Sequence, residues 1–260
     1  VDDDADDLWS SSESKIRFED AVDAVQQALS AMEASNDEHL MSAMNRIAQI
    51  QEGYDRVRNI SVVNLTTPAN VFHALRRQVH RTFAKPLVVM TGKYLLQHRP
   101  CRSPLAHMAQ GTRFQPLIME GGPGDNMPAP SGNGNAQRII LCSGKIFYEL
   151  HHLRAARKMN DKIAMARMEQ IAPFPSLEIA IYLSRYPDAE IVWVQEEPKN
   201  MGAWTYVAPR LATVMRQLCP ERERRVRYIG RPPTANPATA VFKLHRKQSR
   251  KILDQAISLS

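Results

Sequence analysis

From Asn59 onward, short apolar runs of strand length alternate with longer amphipathic stretches of helix length, and this alternation constrains the chain to a layered α/β architecture. Ile60 to Leu65 reads as a strand. Thr66-Thr67-Pro68 fits a helix start with Pro in the first turn, and Val71, Phe72, Leu75 and Val79 continue it as a periodic apolar set. Pro86 then opens the strand Leu87 to Met90. Such a βαβ unit predicts a parallel pair joined by a right-handed crossover. Further strands are expected at Arg138–Cys142, Ile163–Met168, Ile191–Gln195 and Val226–Ile229, with helices near 145–159, 176–186, 204–218 and 239–256. Four short apolar strands separated by helices predict a mostly parallel sheet with helices on both faces.

The rest of the chain follows other patterns. Residues 1–14 are acidic and Ser-rich, the composition of a disordered tail. Phe18, Val22, Val25, Leu29 and Met32 form one helical stripe; Ser35-Asn36-Asp37 interrupts it; Leu40, Met44, Ile47 and Ile50 form another. Residues 15–58 therefore read as a helical hairpin whose two stripes must be buried. Residues 97–137 read as an irregular linker and loop, Gly-, Pro- and Asn-rich between Glu120 and Asn135. The expected division is an acidic tail (1–14), a helical segment (15–58), a βαβ unit (59–96), the linker (97–137) and an α/β domain (138–260).

Composition excludes several classes. No run approaches the roughly 18 apolar residues that span a bilayer, so no membrane span is expected. Three scattered cysteines, Cys101, Cys142 and Cys219, argue against a disulfide framework or a zinc site and suit a reducing compartment. Residues 1–40 hold 12 acidic and 2 basic side chains within a chain of net charge +7, so the remainder is strongly basic. The opening Val1-Asp2-Asp3-Asp4 is the opposite of a basic transit sequence, and the expectation is that any targeting segment has been removed.

The motifs that carry chemistry elsewhere are missing: no GxGxxG after a strand, no GxxxxGK[ST], no HExxH. His151-His152 are adjacent and diverge on a helix, a poor metal site. Cys142-Ser143-Gly144-Lys145 lies between a strand and a helix, which suits either an anion site or simple capping by Ser143. Gln195-Glu196-Glu197-Pro198 ends the most apolar strand; neighbouring carboxylates on an extended segment diverge, so an interface role is expected. The tail carries Arg222, Arg224, Arg225, Arg227 and Arg231, then Lys243, His245, Arg246, Lys247, Arg250 and Lys251. Only Tyr228 and Phe242 interleave there, both at expected core-facing positions, so nucleic-acid binding is a weak expectation.

Four segments carry a family resemblance: Leu141-Cys-Ser-Gly-Lys-Ile-Phe-Tyr-Glu-Leu150, Arg167-Met-Glu-Gln-Ile-Ala-Pro-Phe-Pro175, Trp193-Val-Gln-Glu-Glu-Pro-Lys-Asn-Met-Gly-Ala-Trp204, and Tyr228-Ile-Gly-Arg-Pro-Pro233 with Pro237-Ala-Thr239. Together they resemble the C-terminal region of the decarboxylating, thiamine-diphosphate-dependent first component of 2-oxoglutarate dehydrogenase; 2-oxoadipate-preferring relatives share much of the pattern. Upstream, Thr66-Thr-Pro-Ala-Asn70, Leu75-Arg-Arg-Gln78 and Lys85-Pro-Leu-Val-Val-Met90 resemble the end of that family's pyrimidine-binding domain. The resemblance covers roughly residues 59–260. It implies a fold like the transketolase C-terminal domain, a mitochondrial matrix location, and partners among the remaining domains of the first component. The complete family enzyme uses thiamine diphosphate and magnesium to decarboxylate 2-oxoglutarate.

Two departures temper that implication. The family's Gly-Asp-Gly…Asn diphosphate-and-magnesium signature and its cofactor-activating glutamate segment are absent, so no cofactor is expected in this chain alone. The family also brings a histidine to its active site from a Gly-Pro-Glu-His-Ser-Ser-Ala-Arg motif, with a further Arg seven residues after that histidine. Asn36-Asp-Glu-His-Leu-Met-Ser-Ala43 keeps Glu38, His39 and Arg46 at the matching offsets, but the glycine-rich approach gives way to the 18–34 helix. The resemblance makes His39 the catalytic candidate. Three readings stand open: a C-terminal portion of the first component that is non-catalytic by itself, a degenerate relative recruited as a structural subunit of a large mitochondrial assembly, and a regulatory module binding an anion at Ser143-Gly144.

Overall fold

In the computed structural model, which describes residues 38–56 (backbone alone from 52), 59–81, 84–127 and 135–259, short strands and helices alternate from Ser61 onward. Helix α1 spans Glu38–Arg56. Strand β1 (Ser61–Val63) leads through Thr67 into α2 (Pro68–His80) and on to β2 (Leu87–Val89). Thr67 is the N-cap, its hydroxyl accepting from the Asn70 amide at 3.3 Å, with Pro68 in the first turn where its missing N–H is harmless. β1 and β2 pair in parallel, as the βαβ pattern requires.

The larger sheet is assembled from β3 (Leu117–Met119), β4 (Arg138–Cys142), β5 (Ile163–Met168), β7 (Glu190–Pro198) and β8 (Val226–Arg231), in the order β3-β5-β4-β7-β8. β5, β4, β7 and β8 run parallel and β3 is an antiparallel edge. Helices α3 (Ile146–Ala156), α4 (Ser176–Ser184), α5 (Trp204–Leu218) and α6 (Phe242–Ile257) connect and follow these strands. Every residue of β4 and β5 is buried, as strands covered on both faces must be. One core layer joins Met44 and Ile47 of α1 to the face of the sheet where Ile139, Leu141 and Trp193 meet α4 and α5. The opposite layer packs Ile140, Val192 and Val194 against Phe147 and Leu150 of α3 and Ile252 of α6.

A second, three-stranded sheet has the order β2-β1-β6, where β6 (Gln170–Ala172) pairs antiparallel with β1. β5 and β6 are separated by Glu169 alone, so one stretch of chain serves both sheets.

Two expectations need correction. The 97–137 segment is not wholly irregular: a 3₁₀ turn at Lys93–Leu96 leads into it, and it makes another at Leu105–Met108 and supplies β3. Three residues are too few for alternation to register, and cross-strand pairing with β5 decides the matter. Phe242, expected at a core-facing position, is 70% exposed, because α6 packs through Ile252, Ala256 and Ile257 at its other end. The first arm of the expected helical hairpin and the acidic tail lie outside the described residues; α1 is its second arm, with Ala43, Met44 and Ile47 buried.

Candidate functional site: a buried polar junction between the sheets

Arg167 and Glu169 are two apart on one extended stretch, so their side chains leave the same face and point at the β1–α2 connection. Both are buried. The Glu169 carboxylate accepts from the Thr66 amide at 2.9 Å, from Asn70 Nδ2 at 3.0 Å, and from the Thr66 hydroxyl in a short contact. Its backbone is committed as well: its amide donates to the Pro116 carbonyl at 2.9 Å and its carbonyl accepts from the Asn64 amide at 2.7 Å. Arg167 donates to Thr66 Oγ1 at 3.3 Å, forms a buried ion pair with Asp125, and lies over the Phe147 ring at 4.0 Å. The Thr66 carbonyl accepts from the Tyr148 hydroxyl at 2.7 Å and from Cys101 Sγ at 3.1 Å.

Burial pushes the Glu169 carboxyl above the ordinary carboxylate range, opposed by the Arg167 charge and by the Asn70 and Thr66 hydrogen bonds. Burial likewise raises the Tyr148 phenol and the Cys101 thiol. A second buried pair lies beside this one. Arg154 grips Glu120 bidentately and donates to the Ile163 carbonyl at 2.7 Å, while Glu120 also accepts from the Met165 amide at 2.9 Å. Burial raises Glu120 too, with Arg154 opposing. The donors at this junction converge on protein acceptors inside a closed interior. Its chemistry is positional: it fixes the N-terminus of α2 and the turn after β3 to the parallel sheet.

The residues singled out in the sequence are dispersed. His39 is exposed on the first turn of α1, whereas Arg46, two turns on, donates to Gln217 Oε1 at 3.0 Å and to Ser42 Oγ at 2.8 Å. The Ser143-Gly144 turn is filled rather than open. Gly144 has φ +74°, and a Cβ there would sit 2.8 Å from Asn64 Nδ2. Lys145 is the N-cap of α3 and has no side-chain cap, so Ser143 does not play that part; instead Lys145 pairs with Glu196 at 2.5 Å and Glu149 at 3.3 Å. Those carboxylates place negative charge beside the turn, which disfavours an anion there. Glu197 diverges from Glu196 and packs against Gly202. His151 tilts against Phe147 and is lowered by burial; His152 is exposed.

The arginine run of the tail is largely engaged. Arg222 pairs with Asp188, Arg225 with Glu223 and Arg227 with Glu190, while Arg224 donates to the carbonyls of Tyr186 and Ala189. Sequence reasoning overlooked Gln195. Buried within β7, its Oε1 accepts from Trp193 Nε1 at 2.9 Å and the Trp204 amide at 3.1 Å, and its Nε2 donates to the Met201 carbonyl at 2.8 Å. A polar amide directly after the apolar run Ile191–Val194 was the available signal. Arg167 and Glu169 sat in a quoted motif, but only the fold reveals that they face Thr66.

The described residues do not fit thiamine diphosphate with magnesium. Gly124-Asp125 is followed by Asn126, and the Asp125 carboxylate is already committed to Arg167. Among the described residues no three His, Cys, Asp or Glu side chains converge as metal donors.

Comparison with known proteins gives a consistent result. The family described as "2-oxoglutarate dehydrogenase C-terminal" matches residues 102–257. A "2-oxoglutarate dehydrogenase-like, mitochondrial" protein of Pongo abelii is 39% identical over 226 residues, covering 87% of this chain and 21% of that protein. A "2-oxoglutarate dehydrogenase E1 component" of Brucella ovis is 39% identical over 227 residues, covering 86% and 22%. The chain thus spans about one fifth of the length of these curated relatives. Among solved structures, "Split gene transketolase, inactive beta4 tetramer" is similar with a TM-score of 0.48 and 14% identity, covering 76% of this chain and 57% of that one.

Proposed function

The chain belongs to the 2-oxoglutarate dehydrogenase C-terminal family, and from that premise we propose that it serves as the C-terminal portion of a mitochondrial 2-oxoglutarate dehydrogenase first component, non-catalytic by itself. The complete enzyme would decarboxylate 2-oxoglutarate oxidatively in the citric acid cycle, its thiamine diphosphate and magnesium being held by domains other than this one. The carrying observation is the Glu169–Arg167 junction. It makes the β1–α2 unit and the parallel sheet one body, while the donors a cofactor needs are either absent among the described residues or already paired. The proposed division of labour follows: residues 59–96 close a pyrimidine-binding-like domain, 97–137 connect, and 138–260 support assembly. The open edge of β2 and the exposed Tyr94, Leu96 and Leu105 offer contact area to the remaining domains. His39, exposed on α1, is the proposed proton-handling or acceptor-orienting residue of the complete enzyme. The mitochondrial relative supports a mitochondrial location, and the matrix is our proposal for where the chain works.

Two measurements test this. Thiamine diphosphate with magnesium should leave the thermal midpoint of the purified chain unchanged; a rise would overturn the non-catalytic reading, since a ligand that binds the native state stabilises it. Native purification from mitochondria should bring dihydrolipoyl succinyltransferase down with the chain. Co-migration with an unrelated large particle would instead support a second reading, a dehydrogenase-like structural subunit. The exposed Val241, Phe242 and Leu244 beside the exposed Lys243 and Arg246 of α6 favour that reading as a docking face.

A further inference from the structure

The outer face of α6 is uniformly cationic. Lys243, Arg246, Lys247, Arg250 and Lys251 are all exposed, and at about 100° per residue they fall within an arc of about 140°. That arc lies opposite Ile252 and Ala256, which bury α6 against the parallel sheet and α3. The helix is held along its length. Arg231 Nη2 meets His245 Nδ1 at 2.8 Å, and Arg138 Nη1 donates to the Ala256 carbonyl at 2.8 Å. Asp254, the single acid between residues 232 and 260, pairs with Arg157. None of the five cations forms an ion pair with a described residue. They also repel one another, because Lys243 and Lys247, Arg246 and Arg250, and Lys247 and Lys251 are each one turn apart. Lys243 lies in the first turn, at the positive end of the helix dipole, with no acidic residue to balance it. A surface dense in anions relieves both repulsions.

The apolar neighbours of the stripe define that surface. Val241, Phe242 and Leu244, at the N-terminal end of α6, are exposed by 58, 70 and 44%. Phe242 and Leu244 flank the cationic arc on its two sides. A single-stranded nucleic acid rewards cations interleaved with aromatic rings on which bases stack. Phe242 is the only Phe, Tyr or Trp between residues 232 and 260, and the Arg246 guanidinium already lies 5.7 Å from its ring centre. Aliphatic Val241 and Leu244 find little to bury against on a phosphate backbone. In a lipid bilayer they do, because acyl chains lie directly beneath the charged headgroups.

We propose that α6 is a peripheral membrane-binding face. Lys243, Arg246, Lys247, Arg250 and Lys251 lie on the phosphates of an anionic phospholipid bilayer, and Val241, Phe242 and Leu244 enter its headgroup layer. The proposal stands apart from the assembly through the β2 edge, and it assigns to lipid the face that the structural-subunit reading gives to protein.

Sedimentation of the full chain with vesicles tests it. The chain should bind vesicles of equimolar phosphatidylcholine and phosphatidylglycerol, ignore phosphatidylcholine alone, and be released as salt shortens the Debye length from about 10 to about 3 Å. Each cation near such a surface contributes about fivefold, so Lys243→Gln, Arg246→Gln, Lys247→Gln, Arg250→Gln and Lys251→Gln together should weaken binding by about a thousandfold or more. Gln is a comparable helix former, so the thermal midpoint of that variant should hold or rise. Phe242→Ser with Leu244→Ser should weaken vesicle binding by about tenfold with the cations intact. Lys93→Gln, Arg99→Gln, Arg102→Gln, Lys162→Gln and Arg185→Gln together remove the same charge from exposed positions elsewhere, and should change binding by less than about threefold. Equal losses in the two fivefold variants would overturn the proposal, because binding would then follow total charge. Failure to bind the anionic vesicles would also overturn it. Tighter binding to polyuridylate than to those vesicles would assign the stripe to nucleic acid and equally sink it. Each of these results leaves the family assignment and the thiamine diphosphate test untouched.

Discussion

Replacing Glu169 with Leu should be among the most damaging single changes in the chain. The carboxylate is fully buried and answers three donors: the Thr66 amide, the Thr66 hydroxyl and Asn70 Nδ2. Asn70 keeps both bonds to the Gln115 backbone, its Nδ2 donating to the carbonyl and its Oδ1 accepting from the amide, each at 2.9 Å, but the Thr66 amide is left with no acceptor and Arg167 loses a nearby negative charge. At ~1–3 kcal/mol for each stranded donor, less the relief of a poorly solvated carboxylate, the loss is about 3–5 kcal/mol. For a chain of this size that lowers Tm by roughly 10 °C. Glu169→Gln keeps one acceptor oxygen in the same volume and should cost about 1–2 kcal/mol. Urea unfolding gives both values, and hydrogen exchange should show the α2 N-terminus loosening before β4 and β7. A Leu variant within about 1 kcal/mol of the parent, or a Gln variant as damaged as the Leu one, would refute the clamp.

The same residue has a pH signature. Its carboxyl is raised in the folded protein, so between the ordinary carboxylate value and the raised one the native state holds more protons than the unfolded state. Stability from this site is therefore complete at the acidic end and is lost as pH rises through the raised value. The stability difference between the parent and Glu169→Gln should shrink or reverse across that window; a difference that grows with rising pH would contradict the sign. Gly144→Ala should destabilise by about 1–2 kcal/mol, combining a left-handed backbone with the Asn64 contact, and Asn64→Ala should relieve part of it in a double-mutant cycle. Burial pushes the Cys142 thiol up to about 12, so maleimide should modify it only after unfolding, as peptide mapping will show. Asp188→Asn breaks an exposed ion pair with Arg222 and should change stability by less than about 1 kcal/mol in urea titration.

Local pattern and composition were enough to determine the layered α/β class, the Thr67-Pro68 helix start, the parallel β1–β2 pair and the strands β4, β5, β7 and β8, because periodicity and capping are properties of neighbouring residues. The quoted motifs were likewise sufficient for the family. Tertiary structure alone decided the rest. β3 and β6 exist through pairing with β5 and β1 rather than through their own three residues. Lys145 became a salt-bridge partner once Glu196 was brought to it from fifty-one residues away. Glu169 meets Thr66 across a separation of 103 residues, and no local signal can announce a partner that far along the chain. Long-range contacts depend on how the layers stack, and stacking is settled by the whole core at once.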